Sequence, residues 1–245
     1  MKILAFVSKD IGLSFLELIL DNDDDIFVVI GNENRKEIID VSKKYSIPYT
    51  CIEDFEFSSY EEEFDWLLNL WSPYIFSDEN LARVKYSLNI HPSLLPLCRG
   101  RDPIVHGLLN QEKLGFTFHS ITKGVDEGPI IFQKEVKYEF PYDASLIYTK
   151  IINEAISSFR LKWPIIRLGK SQLIEQNEGV HQTYTRKMTE SLRIKNWINL
   201  SRDQIDLLTW ISSFDFKNGY GPILEIDDTR FRISIEYSRI EEDND

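Results

Sequence analysis

Short apolar runs alternate with helical patterns through the first half of this 245-residue chain, and this alternation narrows the possible folds. Lys2 to Ser8, Ile26 to Ile30 and Phe64 to Leu70 are apolar runs typical of buried strands. Leu13 to Leu20 and Arg35 to Tyr45 have the spacing of helices that lie between them. Because strands joined by helices pair in parallel, the pattern predicts an α/β fold. The expected core is a Rossmann-like, mostly parallel sheet with helices on both faces.

The turn after the first strand limits the ligands that we expect. It reads Ser8-Lys9-Asp10-Ile11-Gly12 and has a single glycine. Dinucleotide-binding turns have three glycines at G-x-G-x-x-G spacing, so nothing here predicts NAD. A ligand of such a sheet is nevertheless expected at the carboxyl ends of its strands.

The middle of the chain predicts two antiparallel strands joined by a glycine-containing loop. Gly115 to Ile121 alternates as a strand, and Ile130 to Val136 is its expected partner. The connecting loop Gly124 to Gly128 carries Asp126 at its tip. Two helices flank this unit, Pro103 to Leu109, which begins at its proline, and Asp143 to Leu168, capped by Asp143 and ended by Gly169.

The chain divides into two predicted parts, residues 1–180 and a small C-terminal subdomain of residues 181–245. In the second part Ser201 to Ser213 predicts a capped helix, and Ile223 to Ile226 with Arg230 to Tyr237 predicts a hairpin turning at Asp227-Asp228. A lone hairpin is marginally stable, so it needs a covering partner. That partner is either a second copy of the chain, giving a homodimer, or the subdomain's own helix.

Composition excludes several classes of function. The formal charge of −12 opposes nucleic-acid binding, which depends on cations that meet phosphates. No apolar run is long enough to span a membrane, and no signal peptide is evident. Cys51 and Cys98 form no paired-thiol motif, which suits a cytoplasmic location. The four histidines have no metal-ligand spacing, so no metal is predicted.

Asn89-Ile90-His91-Pro92 is the strongest chemical motif in the sequence. If a strand ends at His91, then Asn89 and His91 point to the same face, and Pro92 holds His91 extended. Asp126, brought in by the second loop, can orient the imidazole or hold its proton. An amide donor, a base and an acid are the groups needed for acyl transfer. A turn-capping pair is the alternative reading of Asn-x-His alone.

A longer match strengthens the catalytic reading. The segments Asn89 to Gly100, Arg101 to Pro103, Gly115 to Thr117 and Gly124 to Gln133 resemble the 10-formyltetrahydrofolate-dependent formyltransferases. The resemblance implies that Asn89, His91 and Asp126 are catalytic and that 10-formyltetrahydrofolate is the formyl donor and cosubstrate. It leaves open whether His91 is a base or an oxyanion donor. The donor-binding residues that it implies are Leu88, Ile90, Leu94, Gly124 and Val125.

The acceptor is narrowed by the same resemblance. Arg99 to Pro103 is similar to the branch that contains methionyl-tRNA and sugar formyltransferases, although Asp102 stands where that branch usually has Ala. The tRNA branch has a larger, basic C-terminal domain, so the resemblance favours the sugar branch. It implies that the acceptor is a dTDP-linked amino-dideoxyhexose, with dTDP-4-amino-4,6-dideoxyglucose as the first choice, and that the product serves O-antigen and lipopolysaccharide biosynthesis. The 3-amino isomer and a UDP carrier stay open. Glycinamide ribonucleotide or methionyl-tRNA formyltransferase, and a non-catalytic nucleotide-sugar or folate-binding module, are the alternatives.

Candidate acceptor-binding residues follow from the chemistry of a nucleotide sugar. Its pyrophosphate needs cations and its base needs a ring to stack on. Candidates on these grounds and from the family's linking segment are Lys9, Trp71, Tyr74, Arg99, Tyr184, Arg186 and Lys187. Of the other histidines, His106 is expected to pack behind the site, His119 to face either the cleft or a helix, and His181 to lie in the linker.

Overall fold

The computed structural model describes residues 1–60, 63–138, 143–177, 179, 182–196, 204–216, 220–226 and 228–236. Its strands are β1 (Lys2–Val7), β2 (Asp25–Ile30), β3 (Tyr49–Cys51), β4 (Phe64–Leu70), β5 (Val84–His91), β6 (Arg99–Gly100), β7 (Gly115–His119), β8 (Ile130–Glu135), β9 (Thr183–Tyr184), β10 (Ile194–Asn196), β11 (Ile223–Ile226) and β12 (Thr229–Arg232). Its α-helices are α1 (Lys9–Ile19), α2 (Arg35–Lys44), α3 (Asp78–Leu81), α4 (Pro103–Leu109), α5 (Ala144–Ile166), α6 (Arg186–Arg193) and α7 (Gln204–Phe214).

A seven-stranded sheet in the order β3-β2-β1-β4-β5-β7-β8 forms the centre of the molecule. The first five strands in this order are parallel, and β7 and β8 are antiparallel to their neighbours. The prediction of a mostly parallel α/β sheet is therefore confirmed. The carboxyl end of β5 lies beside β7, where Asn89 is directly opposite His119.

The two faces of the sheet are covered differently. Apolar side chains from α1 and α5 pack on one face, where the Phe15 and Phe159 rings meet edge to face at 5.3 Å. The other face packs against Phe55, Phe57 and Phe76, which come from loops and a short 3-10 turn, and these rings surround Phe6. Strand residues alternate between the two clusters because successive side chains point to opposite faces.

The longest helix is bounded by the residues that the sequence indicated. The Asp143 carboxylate accepts a hydrogen bond from the backbone N–H of Leu146 at 2.7 Å, which caps the start of α5. Gly169, with a φ of +66°, follows its end in the left-handed conformation that glycine adopts without steric cost.

The C-terminal part contains elements that the sequence did not reveal. β10 pairs in parallel with β11, which pairs with β12, and α6 precedes them. Trp210 and Phe214 of α7 pack against Val105 of α4. The sequence predicts the second strand of the hairpin over Arg230 to Tyr237, and the structure has it at Thr229–Arg232. Outside the described residues lie Asp227, Tyr237, Ser201, His181 and the predicted boundary at residue 180. In the ranges that are described, no helix is long and apolar enough to cross a bilayer.

Candidate active site

Asn89 and His91 lie at the carboxyl end of β5 with their side chains on the same face of the sheet. The His91 ring is buried, and its Nε2 lies 2.9 Å from the carbonyl oxygen of Cys98. A carbonyl oxygen only accepts, so Nε2 carries the proton and donates it there. In the neutral ring Nδ1 is then the basic nitrogen.

Asp126 reaches this basic nitrogen from the loop between β7 and β8. Its Oδ2 lies 3.4 Å from Nδ1 of His91 and accepts the backbone N–H of Gly100 at 2.9 Å. Its Oδ1 accepts from Nδ2 of Asn89 at 3.3 Å. The three residues predicted to be catalytic therefore meet in one cluster, and Asp126 holds a left-handed backbone with a φ of +55°.

His119 is a fourth member of the cluster, and the sequence left its direction open. Its Nδ1 donates to the carbonyl of Ser120 at 2.8 Å, so its Nε2 is free to accept from Nδ2 of Asn89 at 3.0 Å. His119 thus helps to fix the orientation of the Asn89 amide. The signal was present in the alternation of Gly115 to Ile121, but only the pairing of β5 with β7 turns it toward the cleft.

Burial and charge act in opposite directions on the two ionisable partners. Burial lowers the pKa of His91, although the facing Asp126 carboxylate and the Cys98 carbonyl oppose that shift. Burial raises the pKa of Asp126, but His91, His119 and the Gly100 N–H outweigh it and hold that pKa well below its usual range. At neutral pH a neutral imidazole therefore faces an ionised carboxylate.

A cleft with a volume of about 100 Å³ opens onto this cluster. Tyr74, Asn89, His119 and Asp126 contribute to its walls, together with Gly124 and Val125 from the loop. Gly124, Val125 and Tyr74 are therefore brought to the site as expected. Ser93 is not exposed to it: its hydroxyl donates to the Leu97 carbonyl at 2.6 Å within the turn.

A larger cavity, of about 370 Å³, lies toward the amino end of β5 and carries none of the three predicted catalytic residues. It is lined largely by apolar and aromatic side chains such as Trp66, Tyr86 and Leu173. It shares Ile121 with the smaller cleft. We place the chemistry at the smaller cleft because the titratable groups converge there.

Several expected ligand-binding residues point elsewhere. Leu88 and Ile90 are buried in the core on the opposite face of β5, because they alternate with Asn89 and His91. Leu94 packs directly against Gly115. Trp71 stacks on Phe15 with ring centroids 6.2 Å apart, so it belongs to the core packing.

The predicted cations are paired with carboxylates or stay exposed. Lys9 Nζ lies 3.4 Å from Glu33, and Lys187 is exposed on α6. Arg186 bridges Asp102 and Glu190, each at 3.1 Å. Within the part of the chain that the structure describes, no three His, Cys, Asp or Glu side chains are grouped to hold a metal ion.

Tyr184 of β9 packs against α4. Its ring stacks on His106 at 3.7 Å, and its hydroxyl accepts from the Asn110 amide at 2.9 Å. His106 also contacts the Thr189 hydroxyl at 3.0 Å, and burial lowers its pKa to about 4 against the opposing charge of Asp102. This arrangement supports the expected packing role of His106.

Comparison with known proteins gives a family match over most of the N-terminal part. The family model described as formyl transferase matches residues 1–158. The chain is also similar to methionyl-tRNA formyltransferase of Dictyoglomus thermophilum, with 31% identity over 119 residues. That match covers 48% of this chain and only 38% of the relative.

Solved structures of the same fold cover nearly the whole chain. A sugar N-formyltransferase from Shewanella sp FDAARGOS_354 matches with a TM-score of 0.84 and 17% identity, over 98% of this chain and 99% of that one. An N-formyltransferase from Helicobacter canadensis, solved with folinic acid and dTDP-3-aminofucose, matches with a TM-score of 0.74 and 21% identity, over 99% and 92%. At these identities the likeness establishes the fold, including its C-terminal part.

Proposed function

Because this chain belongs to the formyl transferase family, we propose that it transfers the formyl group of 10-formyltetrahydrofolate to the amine of a nucleotide-linked amino sugar. The observation that carries the proposal is the convergence of Asn89, His91 and Asp126 at one cleft. A module that only bound a sugar nucleotide or folate would not need a basic imidazole nitrogen facing a carboxylate that is only 12% exposed.

The proposed chemistry starts with attack of a neutral amine on the formyl carbon, which places negative charge on the formyl oxygen. Both Nδ2 hydrogens of Asn89 are engaged in the free protein, and the 3.3 Å contact with Asp126 is the longer. The developing oxyanion replaces that contact. One such donor is typically worth about 3 to 4 kcal/mol.

His91 takes the amine proton as the tetrahedral carbon forms and returns it to the 10-nitrogen of the folate when the bond between that nitrogen and the formyl carbon breaks. Its Nε2–H is committed to Cys98, so Nδ1 accepts the proton and Asp126, 3.4 Å away, stabilises the imidazolium. Asp126 lines the cleft and His91 lies behind it, so the proton passes by way of the carboxylate. The formyl group moves directly between two nitrogens, and no covalent enzyme intermediate is needed.

Full-length similarity supports a sugar nucleotide as the acceptor. The Shewanella sugar N-formyltransferase matches in fold over 99% of its length, and the sequence match to the methionyl-tRNA formyltransferase covers 38% of that relative. The charge of −12 also opposes tRNA binding. We propose dTDP-4-amino-4,6-dideoxyglucose as the first acceptor to test, with a role in O-antigen sugar synthesis. The Helicobacter protein was solved with a 3-amino sugar, so that isomer is the direct competitor.

The decisive experiment is a formylation assay with 10-formyltetrahydrofolate. The acceptors are dTDP-linked 4-amino and 3-amino dideoxyhexoses, with glycinamide ribonucleotide and methionyl-tRNA beside them. We expect turnover of one sugar nucleotide, and a loss of about three orders of magnitude in His91→Asn. Turnover of the ribonucleotide or of tRNA alone would refute the sugar assignment, and undiminished turnover in His91→Asn would refute the role of His91.

A further inference from the structure

We propose that Gln176 is a positioning residue that holds Asp126 in its working orientation, with Arg99 as its partner. The proposal rests on the catalytic role of Asp126 given above. It also assigns Arg99 to this support and removes it from the candidate ligands of the acceptor's phosphates.

The amide of Gln176 uses all of its hydrogen-bonding capacity. Its Nε2 donates to the backbone carbonyls of Asp126 at 2.9 Å and of Gly128 at 2.7 Å. Its Oε1 accepts from Nε and Nη2 of Arg99 at 3.1 and 2.7 Å. Carbonyls only accept and a guanidinium only donates, so the amide has a single possible orientation.

This amide ties together the two backbone segments that orient the carboxylate. One segment is the loop of Asp126 itself, whose left-handed φ of +55° is uncommon for a residue other than glycine. The other is β6, where Arg99 precedes Gly100, the donor of the N–H that Oδ2 accepts. Gln176 therefore sets the distance between the backbone of Asp126 and the Gly100 N–H that donates to the Asp126 carboxylate.

The segment that carries Gln176 is itself anchored to the sheet. Ile174 exchanges two backbone hydrogen bonds, at 2.7 and 2.9 Å, with Ile130, the first residue of β8. Arg99 is equally committed, because its Nη1 lies 3.7 Å from Glu127 and its side chain is only 11% exposed. A guanidinium held in this way has little freedom to reach a pyrophosphate.

Two substitutions separate positioning from packing. Gln176→Met keeps the length of the side chain but removes both donors and the acceptor. Gln176→Glu keeps an acceptor for Arg99 but turns a carboxylate oxygen toward two carbonyls. Gln172→Met is the matched control, since Gln172 is exposed on the same segment. We expect kcat to fall at least about tenfold in both Gln176 variants, with the KM for the acceptor within about threefold.

A second readout does not depend on turnover. The charged and titratable groups that face His91 are Asp126 and His119. If Gln176→Met lets the carboxylate move away, the pKa of His91 measured by NMR titration falls by about half a unit or more. The chain has four histidines, so their signals are few enough to assign by substitution.

The outcomes distinguish this proposal from the proposed function. If Gln176→Met lowers the melting temperature but leaves kcat and the pKa of His91 at wild-type values, Gln176 only packs and the positioning role is refuted. If the wild type forms no product with any acceptor, the proposed function fails. The NMR titration alone then decides whether Gln176 orients Asp126.

Discussion

Replacing the Asp126 carboxylate, which we propose to be catalytic, by an amide gives the sharpest test of the proposed mechanism. Asp126→Asn keeps the shape of the side chain and removes the charge that faces Nδ1 of His91. The ring is buried, and its Nε2–H is already bonded to the Cys98 carbonyl. When a proton arrives at Nδ1, Asp126 is therefore the charge available to stabilise it.

The size of the effect follows from the distance. Two unit charges 3.4 Å apart interact by roughly 4 to 5 kcal/mol at the effective dielectric constant of about 20 that suits protein sites. Since 1.4 kcal/mol is a factor of ten, kcat should fall by about three orders of magnitude. The pKa of His91 should fall as well, because the carboxylate that opposes the effect of burial is gone.

The assay is kcat against pH for formyl transfer to the best sugar nucleotide. Activity requires neutral His91, so it is lost as pH falls through the pKa of that residue. In Asp126→Asn this acidic limb should move to lower pH while the plateau drops. Glu127→Gln is the matched control, since Glu127 is the next residue and is half exposed. A plateau within tenfold of wild type, or a limb that stays in place, would contradict the assigned roles.

Three further predictions test other parts of the structure. Burial lowers the pKa of His106 to about 4, so neutral His106 contributes stability above its ordinary pKa of about 6.5, and this contribution is lost as pH falls below that value. In urea unfolding between pH 7 and 4.5, His106→Phe should therefore lose less stability than the wild type, by at most about 3 kcal/mol. An unchanged dependence of stability on pH would contradict this. Leu88→Ala should cost about 2 to 5 kcal/mol of unfolding free energy because Leu88 is fully buried, while folinic acid affinity measured by calorimetry stays near wild type; a large affinity loss would show that the Leu88 side chain binds the donor. Phe231 is 48% exposed on β12 opposite Leu224. If the hairpin forms the homodimer that the sequence analysis gives as one alternative, Phe231→Asp should convert it to monomer in sedimentation equilibrium. A wild-type monomer at micromolar concentration would refute the dimer.

The sheet and the shared face of Asn89 and His91 were predictable because their signals are local. Apolar runs and helical spacing marked the parallel strands, and Pro103 and Asp143 marked two helix starts. Asn89 and His91 share a face by strand periodicity alone. By the same rule the side chains of Leu88 and Ile90, as neighbours of Asn89, point to the opposite face of the strand, so any contact of these residues with the donor is through their backbone.

The features that the sequence did not reveal depend on contacts between segments that are far apart in the chain. Gln176 lies in a stretch with no regular element, and its partners Arg99 and Asp126 are far away in sequence. The two-residue strands β6 and β9 are too short to show any periodicity. His119 was ambiguous for the same reason, because only the register of β5 with β7 decides which side of the sheet it faces.

The short pairing of β6 with β9 has a consequence for recombination between relatives. Arg99 and Gly100 lie against Thr183 and Tyr184, so the linker supplies an edge to the turn whose N–H binds Asp126. A chimaera joined near residue 180 would import this edge from the donor gene along with the C-terminal module. Exchange of that module without disturbing the reaction centre requires a crossover after Tyr184, and functional fusions should cluster on that side.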